Sequence, residues 1–542
     1  MLTERTSGIL LHPTSLPGPL GTGDFGPDAY RFVDWLVSAG QTYWQMLPLG
    51  EIGPGNSPYM SSSAFAGNIL FIDLAELAGQ GWLVDEDLKP HPEFRPDRVD
   101  FALLKPFRME RLRRAAKVFF SGRNIIAEDE KLLMEPLAIR PSEQTTHATS
   151  LVMSRQPYDE FCKSESAWLD DYALFRALKE RQNGCEWSLW PTDLANRNPQ
   201  ALHRAAEECV EEIGFWKFCQ WCFARQWSQL KQYANERGIR IIGDVPIFVA
   251  YQSTDIWAHQ ELFKLDENGR PTVVAGVPPD YFSKTGQLWG NPLYRWDVHE
   301  KTGFAWWIAR MRHAFKLFDL VRIDHFRGFS AYWEIPANAD TAIHGRWMPG
   351  PGAKLFEAFT NALGELPIIA EDLGIITPDV VELRERFRLP GMRILQFAFG
   401  EDETHYFLPH HYAPNSVAYI GTHDNDTCIG WWNSATPEEK AFARKYLGSE
   451  GDEIQWDMIR AISDSEANTV IIAMQDVLGL SGEHRMNYPS RQEGNWEWRF
   501  SWDQVRPEQT LALAKISSEH GRIPQINKNI PRYQNINRIF WK

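Results

Sequence analysis

The chain has 542 residues, with 71 Asp and Glu against 56 Lys and Arg, a formal net charge of −15 and a sequence pI near 5.5. That balance works against a nucleic acid or an anionic membrane as partner and suits a neutral ligand. No apolar stretch of 18 residues occurs and the opening MLTERTSG lacks an apolar signal core, so the expectation is a cytoplasmic protein too long for one simple core.

Eight buried-strand candidates follow one another: GILLHP (8–13), QTYWQMLPL (41–49), IRIIGDVPIFV (239–249), LVRIDHF (320–326), LPIIAEDLG (366–374), MRILQFAF (392–399), SVAYIGTHD (416–424) and TVIIAMQDVLG (469–479). They are apolar on both faces, as strands of a parallel sheet are. Helical periodicity falls between most of them, in DAYRFVDWLVSAG, TGFAWWIARMRHAFKLF, AKLFEAFTNALGE, PDVVELRERFR, PEEKAFARKYLG and DEIQWDMIRAISDS. Strand–helix alternation repeated about eight times predicts an α/β chain folded as a single (β/α)₈ TIM barrel over residues 1–542. Two connections are too long to be simple. Residues 76–235, after the second strand, read as a mainly helical insertion, with a polar loop at 140–150. Residues 250–300, after the third strand, are rich in Gly, Pro and aromatics with little periodicity, and read as an active-site loop.

Three strand ends carry an acid: Asp324 in VRIDHFRG, Glu371 in IIAEDLG and Asp424 in YIGTHDND. The C-terminal ends of barrel strands are where such folds place chemistry. Three converging carboxylates suit glycosidic-bond chemistry, with one as nucleophile, one as acid/base and one gripping sugar hydroxyls. Arg322 and Asp324 are two apart on a strand and leave the same face, and a nearby arginine favours an ionised carboxylate. Glu371, set after LPIIA beside other acids, is placed where desolvation and like charge keep a proton on. Any one of these acids alone could be a helix cap or a structural ion pair. The three do not separate a transferase from a hydrolase of α-glucans, or rule out a non-catalytic glucan binder. The aromatic 250–300 segment, with Tyr281, Phe282 and Trp289, favours transfer, because transfer requires water to be kept out.

The other motifs carry less. The chain has 23 Trp, and those in Gly/Pro-punctuated segments (Trp289, Trp431, Trp432, Trp496, Trp498) are candidates for stacking on sugar. Cys219 and Cys222 form a CxxC inside an aromatic helix with no turn, which reads as core packing, and the six cysteines form no disulfide framework. His325 and His423 each adjoin an Asp, but no HxH or HExxH spacing occurs, and DENG at 266–269 lacks the remaining ligands of a calcium loop. No metal and no cofactor are expected.

The segments GILLHPTSLPGPLGTGDFG, NSPYMSSSAFAGN, GDVPIFV, GVPPDYFSKTGQLWGNPLYRW, VRIDHFRG, AEDLG, GTHDNDT and VLGLSGEHRMNYPS resemble those of the amylomaltases, or 4-α-glucanotransferases, of glycoside hydrolase family 77 in the α-amylase superfamily. The resemblance runs from about Thr6 to Trp502. It implies a (β/α)₈ barrel with insertions and without the C-terminal β-sandwich of α-amylases. The implied substrates are maltooligosaccharides, amylose or other α-1,4-glucans, with glucose or a glucan as acceptor. Motif by motif, it assigns Asp324 as nucleophile, Glu371 as acid/base and Asp424 as transition-state stabiliser. Arg322 and His423 match flanking residues, and Asp244 falls on the third strand where α-amylases have a motif Asp. The covering loop contributes Asp280, Phe282, Gln287 and Trp289. Asn487 and Pro489 lie in a second loop, where the family often has Gly after the Pro and this chain has Ser490. Tyr59 in NSPYM is an outer sugar-site candidate, a packed Tyr being the alternative. The oligomeric state is not legible in the sequence.

Overall fold

The computed structural model describes residues 3–122, 155–279, 283–400, 402–489, 491 and 493–523. Asp280, Tyr281, Phe282 and the polar stretch at 140–150 lie outside the described residues. In chain order the strands are β1 (Thr6–Leu10), β2 (Tyr43–Gln45), β3 (Arg240–Pro246), β4 (Val273–Val277), β5 (Gln287–Pro292), β6 (Leu320–Asp324), β7 (Ala331–Pro336), β8 (Arg346–Pro349), β9 (Ile368–Ala370), β10 (Gly391–Ile394), β11 (Ser416–Tyr419) and β12 (Thr469–Ala473). Eight of them form one sheet in the order β10-β11-β12-β1-β2-β3-β6-β9, with every pair parallel. Its two edges meet where the Ala370 N–H donates to the Pro390 carbonyl at 2.9 Å. The sheet is a nearly closed TIM barrel, built from the eight runs read in the sequence.

The apolar runs are buried because both strand faces are covered: β1, β2, β9 and β11 are buried throughout. The outer cover includes the helices Pro27–Ser38, Ala305–Leu317, Ala353–Leu363, Pro378–Arg386 and Ile454–Asp464. Each presents its apolar residues at helical spacing to one contiguous core. Between β2 and β3 the chain runs through helices Phe101–Ser121, Ser166–Arg181, Pro199–Glu208 and Val210–Glu236. Cys219 and Cys222 are fully buried in the last of these. Burial raises both thiols, that of Cys222 to about 12, so they are inert core residues. All six cysteines are free. Among the described residues no helix is long and apolar enough to cross a membrane.

The segment after β3 is more ordered than its composition predicts. It holds β4 and β5, which join β7 and β8 in a second, antiparallel sheet of order β5-β4-β7-β8. One partner of β4, the strand β7, comes from beyond β6, and such non-local pairing leaves no local periodicity. Most of the loop tryptophans also differ from expectation. Trp496 and Trp498 are only 6 % exposed, and Trp431 packs on Phe399 at 5.3 Å. Trp496 and Trp498 belong to the core and Trp431 packs against it, because Gly and Pro near a ring report a turn and not the ring's exposure.

Among the barrel-strand glycines Gly243 has the least room, since an added Cβ would lie 2.1 Å from the Phe318 ring. Gly243→Ala is expected to lower the unfolding free energy by about 1–3 kcal/mol through overpacking, read from a denaturant titration. An unchanged midpoint would mean that the Phe318 ring can move aside freely.

Candidate active site

Register builds the centre of the site. In the β3–β6 pair Asp244 lies opposite Arg322 and Pro246 opposite Asp324. Side chains alternate along a strand, so Arg322 and Asp324 share one face of β6. The Arg322 guanidinium donates through Nη1 to Asp244 Oδ2 at 2.6 Å and through Nη2 to Asp324 Oδ1 at 2.9 Å. The arginine and Asp244 side chains are 4 % and 1 % exposed, whereas that of Asp324 is 30 % exposed. One carboxylate is therefore sealed in and the other faces the cleft.

Asp244 Oδ2 also accepts from the Tyr59 hydroxyl at 2.8 Å, and that hydroxyl lies 2.9 Å from His423 Nε2. The Tyr59 and His423 rings are nearly parallel, with centroids 5.3 Å apart. Trp496 packs behind both, at 5.8 and 5.9 Å. The Tyr59 hydroxyl is thus occupied by Asp244 and His423, and its ring is packed among the residues that hold the acids. Burial pushes Asp244 up to about 6 against the pull of Arg322, and its Oδ1 is buried without a partner.

Glu371 follows β9 immediately. Its Oε2 accepts from the His325 N–H at 2.6 Å and its Oε1 from the Leu373 N–H at 2.9 Å. His325 sits in the left-handed region, φ 55°, a costly conformation for a residue other than Gly. That turn aims its N–H back at Glu371 directly after Asp324. Burial first and the Asp324 charge second push Glu371 up to about 7, against Arg322 and the two N–H donors. Four acids with one shared arginine leave excess negative charge, and the cheapest relief is a proton on the group with the least compensation.

Asp424 lies beyond β11 and is the most open acid, its side chain 47 % exposed. Its Oδ1 is 3.4 Å from His423 Nε2 and accepts from Asn487 Nδ2 at 2.7 Å, while Arg485 Nη2 donates to its backbone carbonyl at 2.7 Å. Pro489 is exposed two residues past Asn487. β5 carries Gln287 and Trp289, with Trp289 Nε1 donating to Gln287 Oε1 at 3.1 Å. The Trp289 ring stands edge-on to His325 at 4.8 Å, so it overhangs the residue joining Asp324 to Glu371. Arg485 and the His325 backbone were not singled out in the sequence, and Trp496 stood there as a sugar-stacking candidate and not as a support for Tyr59 and His423. Nothing in local spacing marks them, since each acts through a residue distant in the chain. Among the described residues, no three or more His, Cys, Asp or Glu side chains gather in a way that could hold a metal ion.

A family profile for 4-alpha-glucanotransferases matches residues 11–504. The 4-alpha-glucanotransferase of Thermus thermophilus is 49% identical over 531 residues, covering 96% of this chain and 100% of the relative. That of Synechocystis is 44% identical over 526 residues, covering 96% and 99%. Among solved structures, an amylomaltase from Streptococcus agalactiae in complex with acarbose superposes with a TM-score of 0.88 at 38% identity, covering 96% of this chain and 100% of the other.

Asp244→Ala would leave the buried Arg322 with half its compensation. It is expected to cost about 3–5 kcal/mol of folding stability, whereas Tyr59→Phe, which deletes one hydrogen bond, should cost about 1 kcal/mol. Denaturant titrations of both variants measure this, and equal losses would mean that the ion pair contributes no more than the phenol.

Proposed function

The chain belongs to the 4-alpha-glucanotransferase family, and we propose that it moves α-1,4-glucan segments with retention, by double displacement through a covalent glycosyl–Asp324 intermediate. That it is a glucanotransferase acting on α-1,4-glucans follows from family membership. The residue roles rest on one observation: two neighbouring strand ends hold acids in opposite environments. Asp324 faces the cleft with a guanidinium at 2.9 Å as counter-charge, and Glu371 is pushed up to about 7. Environments that divide two carboxyls in this way mark nucleophile and proton donor.

In the first half-reaction Asp324 Oδ2, which the guanidinium leaves free, attacks the anomeric carbon. Glu371 delivers its proton to the departing 4-oxygen, the C–O bond to the leaving chain breaks, and an Asp324 ester forms. In the second, Glu371 is the base that takes the proton from the acceptor 4-OH as the new C–O bond displaces Asp324. The acceptors are glucose or another glucan. Asp424, steadied by Asn487 and His423, takes hydroxyls of the distorted sugar, and Tyr59 offers its ring beside it. Trp289 with Gln287 roofs the acceptor side and disfavours water there. Asp280 and Phe282 are proposed to act with them in the covering loop. No cofactor enters either step.

Glu371 must hold its proton to start the reaction, and its folded value lies above the usual carboxyl range. The donor kcat/KM should therefore fall tenfold per unit above about pH 7. Glu371→Gln should lose turnover of natural glucans and retain much more of it on a glycosyl fluoride, whose leaving group needs little protonation. If the variant kept the alkaline fall on natural glucan at near wild-type rate, Glu371 would not be the acid.

A further inference from the structure

An aromatic platform stands beyond the acids. Trp347 on β8 is 40 % exposed, although its ring is held firmly. The buried Arg327 guanidinium lies 3.9 Å from the ring centroid, and Trp333, its cross-strand partner on β7, meets it edge-on at 5.2 Å. Trp333 is itself fixed, with Nε1 donating to the Ala342 carbonyl at 2.8 Å. A wide ring supported on one face by a cation and at its edge by a second indole is preorganised, so little freedom remains to be lost on binding.

The ring is tied to both catalytic loops. Arg327 is three residues past Asp324, which puts their Cα atoms within about 11 Å. Its Nη1 donates to the Ile375 carbonyl. Ile375 is four residues past Glu371, hence within about 15 Å of it, and is 52 % exposed. Trp347 and Ile375 are thus joined through Arg327, on the side of the site where the loop after Glu371 runs. The group that protonates the leaving oxygen faces the leaving chain, so this is the side taken first by the leaving glucan and then by the acceptor.

We propose that Trp347, backed by Arg327 and Trp333, is an outer acceptor-side binding platform for α-glucan, against which a glucose unit beyond the reacting one lays its apolar face. This rests on the roles given above to Asp324 and Glu371. A single glucose as acceptor is too short to reach the platform, so the residue favours longer acceptors and biases the products toward chain growth.

The test uses amylose as donor and two acceptors, 4-nitrophenyl α-glucoside and 4-nitrophenyl α-maltopentaoside, with extension of the labelled chain resolved by chromatography. Trp347→Ala should raise the maltopentaoside KM by about three- to tenfold, as loss of one aromatic contact would, and leave the glucoside KM within about twofold. Trp347→Leu, which keeps apolar bulk without the flat face, should behave alike, and Trp347→Phe should recover most of the difference. Equal KM changes for both acceptors, or none, would overturn the platform. So would an oligomer that dissociates on Trp347→Leu while both KM values stay put, since the face would then serve a second copy of the chain. Asp324→Asn assayed alongside separates the two readings. Turnover near wild type in that variant defeats the mechanism, whereas an inactive Asp324→Asn with an unmoved KM ratio defeats the platform alone.

Discussion

One buried guanidinium, shared by two carboxylates, organises the site. Arg322 lies between Asp244 and Asp324, and an arginine that deep would be prohibitively costly without both partners. The sharing is unequal. Asp244 is sealed beneath and bound on to Tyr59 and His423, while Asp324 keeps one oxygen toward the cleft. Through Asp244, Tyr59 and His423 the same network reaches Asp424, so positioning the nucleophile and positioning the hydroxyl-binding acid are parts of one problem.

That interaction depends on register. Asp244 faces Arg322 because β3 and β6 pair in parallel with those residues opposite. A slip of β6 by one residue would turn Arg322 and Asp324 into the helix layer, away from Asp244. The apolar residues between them, Ile242, Val245, Val321 and Ile323, fix the register by burial, so the core specifies the chemistry. Glu371 stands outside the shared cation. Its two hydrogen bonds come from backbone N–H groups, one aimed by the left-handed turn at His325. A backbone donor stabilises the anion formed after proton donation, and burial keeps the proton on beforehand. Acid and base behaviour at one residue requires that balance.

Much of this was legible in the chain. The eight barrel strands were visible as runs apolar on both faces, and the three acids because each closes such a run. The Arg322–Asp324 pairing followed from a spacing of two. Less legible was anything set by contact between distant segments. The antiparallel sheet of β4, β5, β7 and β8 draws on strands separated by β6, and its Trp333–Trp347 pair has no signature in either segment. Tyr59 was open between an outer sugar site and a packed ring because NSPYM reports only a turn, whereas its position is fixed by Asp244, 185 residues away. Trp496 and Trp498 misled for the same reason: exposure is a property of what packs against a ring.

The central claim is the ester on Asp324. The most direct measurement is the intact mass of Glu371→Gln protein mixed with an α-maltotriosyl fluoride whose terminal 4-OH is removed, so that it cannot serve as its own acceptor. A mass gain of one glycosyl unit, mapped to the peptide holding Asp324 and missing when Asp324→Asn is added, is the predicted result. An adduct on another residue, or donor turnover with no adduct at any time, would contradict the account.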